Sequence, residues 1–111
     1  MTTNRRFNAA RDSNETELVK ALEKMGCSVV RLVNPLDLLV GYMGIIKLCE
    51  VKVSKKSPFS SKQKQFIPCW RGGWTLLITT EDCENLVKSI KKDSLLLNSY
   101  KESDEWERGL E

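Results

Sequence analysis

The sequence predicts an α/β domain in which a helix leads into three strands, and a second helix, a fourth strand and a third helix follow. Three observations carry this order. Leu18, Val19, Leu22 and Met25 recur at helical spacing, as do Leu86, Val87 and Ile90. Runs rich in β-branched and aliphatic residues occupy 27–33, 37–42, 45–53 and 74–79. Turn-forming residues separate the runs: Gly26, Asn34-Pro35, Met43-Gly44, the Ser/Lys/Pro cluster of 54–60 and Arg71-Gly72-Gly73.

Each element has a local reason. Asp12-Ser13-Asn14-Glu15 supplies helix-start chemistry, and Gly26 ends the first helix. Met43-Gly44 is short enough to join the second and third strands as an antiparallel hairpin. The second helix is expected from about Ser61 to Trp70, with Pro68 as a point of kinking or early termination, because proline lacks a backbone donor. Thr79 and Thr80 offer caps for a third helix ending near Lys92. This divides the chain into a domain over 1–92 and an acidic C-terminal tail or helix over 93–111, either a helix that docks on the body or on a second copy, or a mobile tail.

Composition narrows the chemistry. At 111 residues there is room for one domain, and 41% hydrophobic with 30% charged residues is globular usage. No apolar run approaches the ~18 to 20 residues of a membrane span, and the first residues lack a secretory signal's apolar core, so an intracellular, cytoplasmic protein without membrane contact is expected. The chain has no histidine, which excludes imidazole bases, Cys/His pairs and most mixed zinc sites. Cys27, Cys49, Cys69 and Cys83 form no CxxC pair; Cys27, Cys49 and Cys83 sit among apolar neighbours as core residues do. The net charge of +3 divides into +7 over residues 1–92, with 16 basic and 9 acidic side chains, and −4 over residues 93–111. A basic body of this kind favours polyanions.

Four polar residues fall where apolar ones belong. On a helical wheel Glu15 lies between Leu22 and Val19; a capping-box partnership with Asp12 accounts for this as readily as a functional role. Gln63 lies on the same face as Phe66 and Ile67, where it either satisfies a buried backbone group or serves a site. In the third strand, alternation puts Glu50 and Lys52 on one face after Ile46 and Leu48. An acid and an amine taken out of water together are costly unless they serve each other or a ligand. The hairpin brings Asp37 beside Glu50, and two carboxylates near one point suit Mg²⁺ or Mn²⁺.

Asp37, followed after twelve residues by Glu50-Val51-Lys52, resembles the signature of the PD-(D/E)XK nuclease superfamily. The blocks N-E-T-E-L-V-K-A-L-E-K-M-G-C-S-V-V from Asn14, D-L-L-V-G from Asp37, C-E-V-K from Cys49, S-S-K-Q-K-Q-F from Ser60 and W-R-G from Trp70 are similar to small phage and prophage nucleases near the VRR-NUC and Holliday-junction-resolvase groups. The resemblance implies a restriction-endonuclease-like αβββαβ core, a mixed sheet flanked by helices, to which a third helix and C-terminal tail are added. It also implies that Asp37, Glu50 and the Val51 backbone carbonyl hold the metal, with Glu15 acting through water or on a second ion. Lys52 becomes the motif lysine, and Gln63 positions it or the water. Leu36, where the family has proline, and Ile67, where related sequences often have histidine, depart from the pattern.

The expected function is that of a Mg²⁺- or Mn²⁺-dependent DNA endonuclease, a homodimer acting on duplex or branched DNA such as Holliday junctions. The alternative is a nucleic-acid-binding protein that keeps the fold with little or no turnover. Arg5, Arg6, Arg11, Lys55, Lys56, Lys62 and Lys64 are candidate phosphate contacts, a solvated charged face being the other reading for each. Aromatic residues are few, 7% of the chain, which argues against an extended stacking platform.

Overall fold

The computed structural model describes residues 12–101 and places helices on both faces of a four-stranded mixed sheet. In chain order the elements are α1 (Glu15–Lys24), β1 (Ser28–Arg31), β2 (Leu38–Tyr42), β3 (Ile45–Val51), α2 (Ser61–Cys69), β4 (Thr75–Leu77) and α3 (Thr80–Lys101). The strands lie in the order β1-β2-β3-β4, antiparallel except for the parallel β3/β4 pair. The crossover between β3 and β4 contains α2, as a parallel connection requires. None of the helices is long and apolar enough to cross a membrane, among the described residues.

The β2–β3 hairpin turns at Met43 and Gly44, with φ of 52° and 80°. Two successive residues in the left-handed region give a two-residue turn whose twist matches that of the strands. Leu38 then faces Cys49 and Leu39 faces Leu48. The chain enters β2 through a cis Asn34–Pro35 bond, and Leu36 is buried.

The core lies on one side of the sheet. Leu38, Val40, Cys49, Val51 and Leu77 meet Leu18, Val19 and Leu22 of α1 and Cys83, Leu86, Val87 and Ile90 of α3. Burial pushes the Cys49 thiol up to about 12 and the Cys83 thiol up to about 11, as for inert core thiols. The start of α3 is capped as its sequence predicts: Thr79 Oγ1 accepts from Asp82 N at 3.3 Å, and Asp82 Oδ2 accepts from Thr79 N at 3.0 Å. α3 does not end near Lys92. Neither glycine nor proline interrupts Thr80–Lys101, Ser94 is buried, and Asp93 Oδ2 accepts from Lys47 Nζ at 3.1 Å, so one helix runs through the expected boundary. The tail beyond residue 101 lies outside the described residues.

The opposite sheet face carries α2, which begins with a capping box: Gln63 N donates to Ser60 Oγ at 3.2 Å and Ser60 N donates to Gln63 Oε1 at 3.0 Å. Pro68 lies inside α2, which ends one residue later at Cys69. Cover on this face is partial. Val30 and Ile46 are more than half exposed, whereas Glu50, two residues beyond Leu48 on the same face, is 1% exposed.

Candidate active site

Asp37 is held by the hairpin that predicted its position. Its N–H donates to Cys49 O at 3.1 Å, and its Oδ2 accepts from Val51 N at 2.8 Å. The carboxylate is therefore clamped to β3 beside Glu50, at the place where β2 begins.

Glu50 is the buried centre of the cluster. Its Oε2 accepts from Gln63 Nε2 at 2.6 Å and pairs with Lys52 Nζ at 3.1 Å, while its Oε1 is buried with no hydrogen-bond partner among the described residues. Burial, then the negative charge of Asp37, pushes its carboxyl up to about 7 against the pull of Lys52. A buried acid beside a second acid is short of positive charge.

Lys52 supplies part of that charge from a fixed position. Its ammonium donates to Pro58 O at 3.0 Å and to Gln63 Oε1 at 3.3 Å, and lies 5.1 Å from the centre of the Phe59 ring. Phe59 is itself braced edge-on by Trp74, with ring centroids 5.9 Å apart. Gln63 thus spends its oxygen on Lys52 and the Ser60 cap and its nitrogen on Glu50, which accounts for an 8% exposed amide on a helix face.

These groups line an open cavity of about 260 Å³ whose wall includes Asp12, Asp37, Glu50, Val51, Lys52 and Gln63. Asp12 is the residue that sequence reasoning considered only as a cap. Its Oδ2 is buried without a hydrogen-bond partner among the described residues, and its carboxyl is raised by burial and by Asp37 while Lys52 lowers it. Glu15 is buried as the wheel predicts, but it does not line this cavity; its Oε2 lies 3.5 Å from Nε of Arg31 on β1. The capping-box reading of Glu15 fails too, because the N-cap is Asn14, not Asp12, and the Asn14 side chain makes no cap hydrogen bond. Asn14 Nδ2 instead donates to Lys52 O at 3.0 Å and to Ile78 O at 2.8 Å, tying the start of α1 to the ends of β3 and β4.

The donor chemistry fits a hydrated divalent ion. Among the described residues no cluster of three or more Asp, Glu, Cys or His side chains is close enough to form a cage. Two adjacent carboxylates with orphaned oxygen nearby suit Mg²⁺ or Mn²⁺, which retain waters and need only one or two acids. Lys55, Lys56, Lys62 and Lys64 are exposed on the loop and on α2, flanking the cavity wall formed by Pro58 to Gln63. Arg5, Arg6 and Arg11 lie outside the described residues.

Compared with protein-family models, curated proteins and solved structures, the chain has no match.

Proposed function

We propose that the protein is a metal-dependent endodeoxyribonuclease with a restriction-endonuclease-like core, hydrolysing phosphodiester bonds in the cavity between β2, β3 and α2. One observation carries the reading: Asp37, Glu50 and Lys52, costly to bury, line one open cavity in which a buried Glu50 oxygen has no hydrogen-bond partner among the described residues. The order of helix, hairpin, crossover helix and parallel fourth strand is compatible with such a core.

In this reading Asp37, Glu50 and the Val51 carbonyl would hold the metal; Asp12, unlike Glu15, lies at the cavity wall. When bound, Mg²⁺ or Mn²⁺ supplies a lowered water pKa and neutralises charge gathering on the phosphate. The chain's own residues do the rest. Lys52, fixed by Pro58 O, Gln63 and Glu50, presents a positive charge where the phosphate oxygens become more negative, and it has no reorganisation to undergo as the bond breaks. Gln63 sets the distance between Lys52 and Glu50. The basic residues around α2 attract and orient the DNA backbone without reading sequence.

The test is cleavage of labelled single-stranded, duplex, flap and four-way-junction DNA in Mg²⁺, Mn²⁺ or EDTA, with Asp37→Ala and Lys52→Ala beside the wild type. Cleavage in metal that both substitutions abolish is the expected result. Cleavage in EDTA, or surviving both changes, overturns the reading.

A further inference from the structure

Beside the catalytic cavity, on the same sheet face, lies an apolar cleft of about 460 Å³ lined by Pro35, Leu39, Ile46, Leu48, Phe66, Trp70 and Gly73. Cavity and cleft are successive positions along one pair of strands. Leu48 precedes Glu50 by two residues and Leu39 follows Asp37 by two, so each shares its acid's face about 7 Å further along. Helix α2 passes both places: Gln63 reaches Glu50, and Phe66 and Trp70, one and two turns on, line the cleft.

Trp70 is exposed and yet held. It is 43% exposed, its Nε1–H donates to Gly73 O at 3.2 Å, and its ring stacks on Phe66 with centroids 5.2 Å apart and planes 26° from parallel. Gly72 makes this pose possible, since a Cβ there would lie 2.7 Å from indole Cζ2. An indole fixed before anything binds has already lost its rotamer freedom, so a flat ligand meets less entropic cost there.

The chain segment that carries α2 and the indole is cationic. From Val51 to Thr80 the chain has no Asp or Glu and six cations: Lys52, Lys55, Lys56, Lys62, Lys64 and Arg71. An apolar, aromatic-walled slot beside such a segment suits a polyanion that carries flat apolar groups. A paired duplex keeps its bases inside the stack; only an unpaired nucleotide can offer one to the indole.

We infer that Trp70 is a stacking platform for an unpaired nucleobase, so that the preferred substrate class is DNA with an unpaired nucleotide beside the scissile phosphate. The position of that phosphate rests on the nuclease reading; the base-binding role of Trp70 does not.

The experiment is fluorescence anisotropy in EDTA of the full chain with a labelled duplex carrying a short single-stranded gap, the same duplex with abasic residues in the gap, and the fully paired duplex. Trp70→Ala is expected to raise Kd for the gapped duplex roughly 5- to 150-fold, the equivalent of about 1–3 kcal/mol of stacking, and to leave the paired duplex unchanged. Trp70→Phe restores most of the loss, whereas Gly72→Ala, which keeps the indole but displaces it, reproduces part of it. Wild type loses a similar factor on the abasic gap, and Trp70→Ala does not distinguish the two gaps. Equal weakening on gapped and paired DNA, or none on either, overturns the platform. So does a dimer in sedimentation that Trp70→Ala dissociates while DNA affinity stays constant, since a second copy would then occupy the cleft. Mg²⁺-dependent cleavage is scored separately: cleavage without Trp70-dependent binding removes the platform alone, and Trp70-dependent binding without cleavage removes the hydrolase reading alone.

Discussion

Gln63 Nε2 donates to Glu50 Oε2 at 2.6 Å, so the acid at the centre of the cavity is oriented by a side chain whose helix it does not belong to. The same amide closes the α2 capping box and accepts from Lys52. Gln63→Ala therefore removes a helix cap and two bridges at once, whereas Ser60→Ala removes the cap oxygen alone. Both changes are expected to cost about 1 kcal/mol through the cap, a fall in Tm of roughly 5 °C. Only Gln63→Ala should also lower kcat by more than about tenfold, because Lys52 and Glu50 lose their common support. Thermal melts and cleavage rates measured on the two variants side by side decide it; equal loss of activity would reduce Gln63 to a cap.

The buried carboxyl of Glu50 makes metal-free stability depend on pH. Its value is pushed up from 4.5 to about 7, by burial first and by Asp37 second. Between those limits the native chain holds a proton that the unfolded chain has released, so stability falls as pH rises through the window and levels off above it. The scale is roughly 3 kcal/mol at most. Glu50→Gln, which leaves Lys52 its bonds to Gln63 and Pro58 O, is expected to flatten the dependence and raise Tm above wild type in EDTA at pH 8. Mn²⁺ should stabilise the wild type by about 2.7 kcal/mol at a hundredfold excess over Kd, read as a higher Tm, and leave the variant unmoved. A wild-type Tm in EDTA that does not fall between pH 5 and 8 would contradict this account.

Two acids stand near the start of α1, and their surroundings assign them different work. Asp12 lines the cavity with a buried oxygen that has no hydrogen-bond partner among the described residues, whereas Glu15 lies outside its wall beside Arg31. Asp12→Asn is expected to reduce single-turnover cleavage at saturating Mn²⁺ about tenfold with little change in Tm. Glu15→Gln should do the reverse, lowering Tm by several degrees as a buried carboxylate near a guanidinium is neutralised, and sparing turnover. Greater loss of cleavage in Glu15→Gln would return the role to Glu15.

What the sequence discloses follows the range of the interaction. The hairpin was legible because Met43-Gly44 is a local turn signal, and from it the neighbourhood of Asp37 and Glu50 follows by counting residues. The burial of Glu15 and Gln63 was legible from helical periodicity, and Ser60-Ser61-Lys62-Gln63 carries a capping-box pattern that explains part of Gln63 without reference to any site. Asp12 was not legible as a cavity residue, since its place depends on how α1 docks across strand ends 40 and more residues away, through the Asn14 bridge to Lys52 and Ile78. The full length of α3 is not legible from its apolar face, which the sequence marks only at Leu86, Val87 and Ile90, although nothing beyond Lys92 breaks a helix. Counting aromatic residues likewise missed the Phe66–Trp70 pair, whose stacking depends on the Gly72-Gly73 turn.

The Asn14 bridge offers the sharpest test of how α1 is fastened to the site. One amide group donates to two backbone carbonyls, Lys52 O and Ile78 O, and no other side chain among the described residues joins these three segments in the same way. Asn14→Ala leaves both carbonyls without that donor and is expected to cost about 1–3 kcal/mol. It should also slow cleavage, because Asp12 and Lys52 flank the released junction. Asn14→Asp keeps the size and replaces the donor by a carboxylate facing two carbonyl oxygens. That carboxyl will have a raised pKa in the folded state, so the variant should be less stable than Asn14→Ala at pH 8 and should regain stability as pH falls and the acid takes up a donor proton. Melts of the two variants at pH 5 and pH 8 read the difference directly. If Asn14→Asp matches Asn14→Ala at both values, the amide is not the tie that holds α1 to β3 and β4.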